Sequence, residues 1–177
     1  EVLQGDINCE ITDLVYDSRK ITENSVFVCL VGANVDGHTF VNQAVEKGAS
    51  AVIVSKAVEG IPANMAVIKV DNTRRALAFM SAAYFGYPAK ELTTIGLTGT
   101  KGKTTTTHMA HAVMNAVCGR ETGLISGVTC SVGSEVEAPH ISTPESLELQ
   151  YFYSLARQNG LPAVTSEISS QAYNVDR

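Results

Sequence analysis

The residues best suited to chemistry in this 177-residue chain read Thr98-Gly99-Thr100-Lys101-Gly102-Lys103-Thr104-Thr105. Glycines let main-chain N–H groups approach phosphate oxygens with no Cβ in the way. Leu92, Ile95 and Leu97 precede the segment as a strand-like apolar run, and helix-forming residues follow it. Strand, glycine loop and helix together are the setting of a phosphate-binding loop. The helix that follows directs roughly half a positive elementary charge at the same place. In this reading Lys103 reaches the terminal phosphates and the Thr104 hydroxyl holds Mg²⁺. The strict pattern wants glycine where Leu97 stands, so the loop must turn later, at Gly99. A chance Gly-Lys-Thr turn is the plainer reading, and the flanking strand and helix signals weigh against it.

Glu167 is the second chemical candidate. It lies at the end of an expected strand over 163–168, and open α/β sheets gather ligand groups at the carboxyl ends of their strands. The elements that must position these residues follow from periodicity. Strands are expected over 11–16, 25–31, 51–54, 66–70, 93–98, 121–126 and 163–168. The run Val26-Phe27-Val28-Cys29-Leu30-Val31 is apolar throughout, as in a sheet buried on both faces. Thr39 is expected to cap a helix reaching Lys47, with Gly48 past its end. A second helix starts at Asp71 or Asn72, carries Leu77, Met80, Ala83 and Tyr84 on one face, and stops at Gly86. Helices are also expected over 104–117 and over 146–158, the latter with Leu147, Leu149, Phe152 and Leu155 inward. Residues 127–139 read as a polar excursion, with a hairpin around Gly133. Alternating strands and helices predict an α/β fold with parallel sheets. Gly86-Tyr87-Pro88 is the expected boundary between domains 1–88 and 89–177.

Composition is that of an ordinary globular chain, 45% hydrophobic and 18% charged, with a net charge of −5. No cluster of Lys and Arg suggests a nucleic-acid surface. Cys9, Cys29, Cys118 and Cys130 are widely spaced, which points to a reducing compartment rather than a disulfide framework. No apolar run is long enough for a membrane span, and no secretory signal is visible. A cytoplasmic protein is expected. Residue 1 is Glu rather than Met, so an earlier native start is expected.

Several separated stretches together resemble the Mur ligases of peptidoglycan synthesis, most closely the branch that adds the third peptide residue. They are Tyr16-Asp17-Ser18-Arg19, Val31-Gly32-Ala33-Asn34-Val35-Asp36-Gly37-His38, Asp71-Asn72-Thr73-Arg74, the glycine loop from Gly99 to Thr105, Ser142-Thr143-Pro144-Glu145 and Glu167-Ile168-Ser169-Ser170. They occur in the family's order and cover nearly the whole chain. The glycine loop alone would indicate the wider superfamily that includes folylpolyglutamate ligases.

The resemblance implies a small amino-terminal α/β UDP-binding domain, followed by an incomplete parallel-sheet P-loop ATPase domain. It implies ATP and Mg²⁺ as cofactors, and UDP-N-acetylmuramoyl-dipeptide and an amino acid as substrates. Such enzymes activate a carboxylate as an acyl phosphate, which an amine then displaces to form an amide. By resemblance Gly99, Thr100, Lys101, Gly102, Lys103, Thr104 and Thr105 hold ATP. Lys103 and Glu167 are catalytic, and Thr104 and Glu167 bind the metal. Tyr16, Ser18, Ala33, Asn34 and Val35 flank the uridine end of the substrate. Ser142, Thr143, Ser169 and Arg177 bind its muramoyl-peptide end, where an arginine fork suits a carboxylate or phosphate.

Some positions depart from the family. Lys101 stands where Asn is common, and its extra cation favours phosphates. Ile141 replaces a polar residue, Gln171 replaces a frequent His, and Val175 is given no role. His108 and His111 lie three apart on one helix face; a partly exposed pair is expected there rather than a metal site. His38 is expected to be structural, and His140 has no sequence partner. A monomer is expected. The family's bridging carbamylated lysine and its third domain would lie beyond Arg177, so the chain alone is expected not to ligate. Rival readings are another P-loop phosphotransferase, a folylpolyglutamate-type ligase, and a non-catalytic nucleotide-sugar-binding or regulatory module.

Overall fold

The computed structural model describes residues 1–133, 135–136 and 143–176. Two compact units divide the chain, Glu1–Leu77 and Ala78–Arg177. Both are α/β, as the alternation of apolar runs predicts.

The first unit contains β1 (Val2–Gln4), β2 (Asp13–Val15), β3 (Ser25–Val28), α1 (Val41–Glu46), β4 (Ala51–Val54) and β5 (Ala66–Lys69), and α2 (Thr73–Tyr84) starts at its end. Its sheet has the order β1-β5-β4-β3-β2. Strands β2 to β5 are parallel, and β1 adds antiparallel to β5. Every residue of β3 and β4 is buried, so both faces of the sheet centre are covered, as their unbroken apolar sequence requires. Phe27, Cys29, Val52 and Val54 pack with Val41 and Ala44 of α1. Burying a Val or Phe side chain contributes about 1.5–3 kcal/mol, so this cluster dominates the unit's stability.

Three local expectations change. Strand β3 ends at Val28 rather than running to Val31, because the chain turns into a hairpin bridged from Val31 to Asp36. Asp36, not Thr39, caps the next turn: its carboxylate accepts from the His38 N–H, and a 3-10 turn Gly37–Phe40 leads into α1. The buried positions of α2 are Thr73, Leu77 and Ser81, spaced by four, whereas Tyr84 is exposed. The stop at Gly86-Tyr87-Pro88 has its expected form. Gly86 and Tyr87 both have positive φ, and the Tyr87 N–H donates to the Ala82 carbonyl at 2.7 Å.

The second unit contains β6 (Thr93–Leu97), α3 (Lys103–Cys118), β7 (Gly123–Ile125), β8 (Cys130–Ser131), β9 (Glu135–Val136), α4 (Ser146–Gln158), β10 (Ala163–Glu167) and α5 (Ser170–Asn174). The sheet order is β6-β10-β7-β8-β9. Strands β6, β10 and β7 are parallel, and β8 and β9 form an antiparallel extension. That extension includes the hairpin expected around Gly133, whereas α5 was not foreseen. Phe152, Tyr153 and Ala156 of α4 pack on Ile125, Val132 and Val164, with Leu149 and Leu155 at the margin. Leu147 lies outside this cluster. The consequential feature is β10, which comes late in the chain yet inserts between β6 and β7.

Candidate functional site

Leu97, the last residue of β6, pairs with Glu167, the last residue of β10. The glycine loop therefore leaves the sheet beside the buried carboxylate. Gly102 precedes α3 with φ 77°, a backbone that favours glycine. The N–H groups of the first turn of α3 lack intrahelical partners by geometry, and its N-cap residue supplies no side-chain cap. The Lys103 ammonium curls back to donate to the Gly99 carbonyl at 3.0 Å. Gly99, Thr100, Lys101, Gly102 and Thr105 are exposed, and Lys103 and Thr104 half-buried. The structure thus brings cationic, amide and hydroxyl donors to one face, a set suited to polyphosphate.

Glu167 is only 3% exposed. One of its oxygens accepts from the Thr104 hydroxyl at 3.0 Å and faces the Gly127 N–H at 3.5 Å. Among the described residues no Lys or Arg forms an ion pair with it. A buried, uncompensated carboxylate beside a hydroxyl is costly in an apolar interior. It is also a hard-oxygen donor pair of the kind Mg²⁺ takes from a protein when phosphates and water complete its shell. The residues therefore fit the ion. No group of three or more His, Cys, Asp or Glu suited to a metal occurs among the described residues.

Gly127 escaped the sequence reading. It lies in the turn after β7, where the Ser126 hydroxyl accepts from the Thr129 N–H at 3.0 Å. Only the insertion of β10 beside β7 brings that turn to Glu167. Thr143 is buried, and its hydroxyl donates to the Glu167 carbonyl at 3.1 Å and accepts from the Ser169 N–H at 2.8 Å. It thus holds the turn at the end of β10. The Ser169 hydroxyl accepts from the Ala172 N–H and caps α5. Ser142 and Arg177 lie outside the described residues, as do His140 and Ile141.

The first unit gathers its candidates at the carboxyl ends of its parallel strands, where such sheets bind ligands. Tyr16 and Ser18 follow β2, and Ala33, Asn34 and Val35 form the exposed tip of the 31–36 hairpin after β3. The Lys47 ammonium donates to the Ser18 carbonyl at 2.9 Å and so holds the Ser18 turn from α1's side. Asp17 caps that turn and pairs with Arg19 at 2.7 Å. The Arg19 guanidinium pulls the Asp17 carboxyl from the ordinary 3.8 down to about 2. A lowered carboxyl favours folding above its unfolded value and loses that contribution as pH falls through the folded one. Asp17→Asn keeps an acceptor for the cap but drops the charge. Its melting temperature is expected to lie below that of the parent above about pH 4, with the gap closing as pH falls toward about 2. A gap that is constant with pH in thermal melts would contradict the assignment.

The two helical histidines do separate jobs. His108 Nδ1 lies 2.8 Å from the Thr104 carbonyl in the first turn of α3. His111 sits in a ring of hydrogen bonds. The Asn115 amide lies 3.2 Å from its Nε2, its Nδ1 lies 3.2 Å from the Thr122 hydroxyl, and that hydroxyl donates to the Asn115 carbonyl oxygen at 2.8 Å. The ring ties α3 to the start of β7. Thr122 is fully buried, so Thr122→Val strands the polar atoms around it. The expected loss is about 1–3 kcal/mol in denaturant unfolding; a change under about 0.5 kcal/mol would mean the ring contributes nothing. Burial pushes the Cys29 and Cys130 thiols up to about 12, so both behave as core residues. All four cysteines are free.

Comparison with known proteins matches residues 10–85 to "Mur ligase family, catalytic domain" and residues 97–177 to "Mur ligase middle domain". The chain belongs to the Mur ligase family. The UDP-N-acetylmuramoyl-L-alanyl-D-glutamate–2,6-diaminopimelate ligase 1 of Clostridium acetobutylicum is 40% identical over all of this chain, which covers 36% of that relative. The ligase of the same name from Oceanobacillus iheyensis is 40% identical over 96% of the chain and 34% of its own length. This Mur ligase chain therefore spans about a third of the length of the curated relatives it matches. Among solved structures, a UDP-N-acetylmuramoyl-L-alanyl-D-glutamate–2,6-diaminopimelate ligase has TM-score 0.73 at 21% identity, over 97% of this chain and 35% of that one. The MurF ligase of Thermotoga maritima in complex with ADP has TM-score 0.55 at 22% identity, over 94% of this chain and 34% of that one. These two structures support the fold. No helix among the described residues is long and apolar enough to cross a membrane.

Proposed function

We propose that this Mur ligase chain carries two binding parts of an ATP-dependent amide-forming ligase of peptidoglycan synthesis. Residues 1–88 bind the uridine end of UDP-N-acetylmuramoyl-dipeptide, and residues 89–177 bind ATP. The third peptide residue is added through an acyl phosphate. The curated relatives are named for 2,6-diaminopimelate, and that is the amine we propose. A cytoplasmic monomer is the working expectation.

The observation that carries the reading is the pairing of Leu97 with Glu167, which brings Lys103, Thr104 and a buried carboxylate to one sheet end. Acyl-phosphate formation joins two anions, so their repulsion must be neutralised. Lys103, swung from the Gly99 carbonyl, contacts the terminal phosphates. The amides from Gly99 to Thr105 fix the phosphate chain. Thr104 and Glu167 would hold Mg²⁺, which supplies charge neutralisation on the phosphoryl oxygens when bound. In the first unit, Ser18, Tyr16 and the tip Ala33-Asn34-Val35 embrace the uridine nucleotide. Thr143 and Ser169, with Ser142 and Arg177, meet the muramoyl-peptide end.

Isothermal titration with Mg-ADP, and separately with UDP, tests the two halves. Phosphate release by the full-length polypeptide tests the reaction, with UDP-N-acetylmuramoyl-dipeptide and each candidate amino acid supplied. Saturable binding of both nucleotides, and release dependent on diaminopimelate, are expected. Conversion of ATP to ADP with its phosphoryl group retained on a stable acceptor, and with no amide and no phosphate released, would make the chain a phosphotransferase. UDP binding with no response to ATP would make it a binding module.

A further inference from the structure

The 31–36 hairpin exposes its tip, yet its base is fixed from several sides. The Gly32 N–H donates to the Val35 carbonyl at 2.9 Å, and the Gly37 N–H donates to the Leu30 carbonyl at 2.8 Å. A Cβ at Gly37 would lie 2.8 Å from the backbone nitrogen and oxygen of Leu30, so this crossing admits no side chain. Asp36 forms the pivot. One carboxylate oxygen accepts from the His38 N–H at 3.0 Å and lies 2.6 Å from His38 Nδ1. The other takes the Lys56 ammonium.

His38 is the least expected part of this clasp. Its side chain is 3% exposed. Its Nε2 accepts from the Ser55 N–H at 2.9 Å, just past the end of β4. A main-chain N–H can only donate, so Nε2 bears no proton and Nδ1 bears it, aimed at Asp36. The ring is thus a strut between the end of β4 and the base of the hairpin, with its tautomer set by the main chain.

We propose that His38 is a positioning residue: held as the Nδ1–H tautomer by Ser55, it clamps Asp36 and sets the hairpin conformation that meets the uridine nucleotide. The nucleotide half of this inference rests on the function proposed above; the clamp itself does not.

Two substitutions separate the arms of the strut. His38→Asn puts an amide donor near the Nδ1 position and keeps the Asp36 contact, while losing the acceptor for Ser55. His38→Gln puts a carbonyl acceptor near Nε2 and keeps Ser55, while losing the donor to Asp36. Amide hydrogen exchange at Gly32 and Gly37 is expected to speed up at least tenfold in His38→Gln and to stay within about threefold in His38→Asn. UDP affinity should fall about tenfold in the Gln variant alone. Exchange at Val52 and Ile53 reports whether the fold itself has loosened. Equal loosening in both variants, or hairpin protection intact in His38→Gln, overturns the clamp. If the unsubstituted protein fails to bind UDP, the nucleotide reading falls while hydrogen exchange still decides the clamp. Imidazole ¹⁵N spectra of the unsubstituted protein give an arm independent of folding in the variants: a proton on Nε2 of His38 overturns the inference.

Discussion

Lys103→Ala is expected to lower turnover of the full-length ligase by about a hundredfold or more, with little change in stability. Removing one preorganised donor from a charged transition state costs about 3 kcal/mol, and each 1.36 kcal/mol is a factor of ten in rate. The side chain is half-buried, and among the described residues its hydrogen bond goes to the nearby Gly99 carbonyl. Folding therefore depends on it weakly, and the change in unfolding free energy should stay within about 0.5 kcal/mol. ATP affinity should fall more than ADP affinity, because the proposed mechanism has the ammonium swing from the Gly99 carbonyl to the terminal phosphates. Lys103→Arg is not expected to rescue, since a planar fork does not replace a compact ammonium in a tight loop. Near-normal amide formation by the alanine variant would remove Lys103 from the mechanism.

The second large effect separates function from stability. Glu167→Gln preserves shape and leaves an oxygen for the Thr104 hydroxyl, but it removes a negative charge from a site 3% exposed. Burying a carboxylate with no cationic partner disfavours folding. The variant is thus expected to melt at the same temperature as the parent, or higher, in the absence of Mg²⁺. Its nucleotide affinity should lose most of its dependence on Mg²⁺, and turnover should fall about a hundredfold. A structural carboxylate predicts the reverse, a lower melting temperature with the Mg²⁺ dependence intact. Thermal melts and titrations with and without Mg²⁺ decide between them. Gly127 gives a related check, because its N–H faces the same oxygen.

The sequence made much of the fold legible through local chemistry. The apolar runs of β3 and β4 and the Gly86-Tyr87-Pro88 stop act within a few residues, so reading them needs no knowledge of long-range contacts. Helix α4 has the bounds that the sequence predicts, Ser146–Gln158. Its inward face was read less well: Tyr153 and Ala156 are buried, and Leu147 is outside the core cluster. The rotation of a helix about its axis depends on what it packs against. Strand β1 was not foreseen because its three residues, Val2–Gln4, are held by a distant partner, β5. Thr143 shows the same limit at the site. Its place beside Ser142 gives no sign of the hydrogen bonds its hydroxyl makes to Glu167 and Ser169, both far along the chain.

Residue types and spacing alone determined that this chain has a glycine-rich, lysine-bearing loop after a strand and before a helix, because glycine flexibility, lysine charge and helix polarity act locally. They also placed Glu167 at a strand end. The order of strands was beyond them. Only the tertiary structure inserted β10 between β6 and β7, which put Glu167 next to Leu97 and brought Gly127 to the same carboxylate. The same holds for His38, whose ring joins its neighbour Asp36 to Ser55, 17 residues further along the chain than His38 itself. Strand order and buried side-chain bridges come from the competition among all possible pairings for one core, a property of the whole chain rather than of any stretch of it.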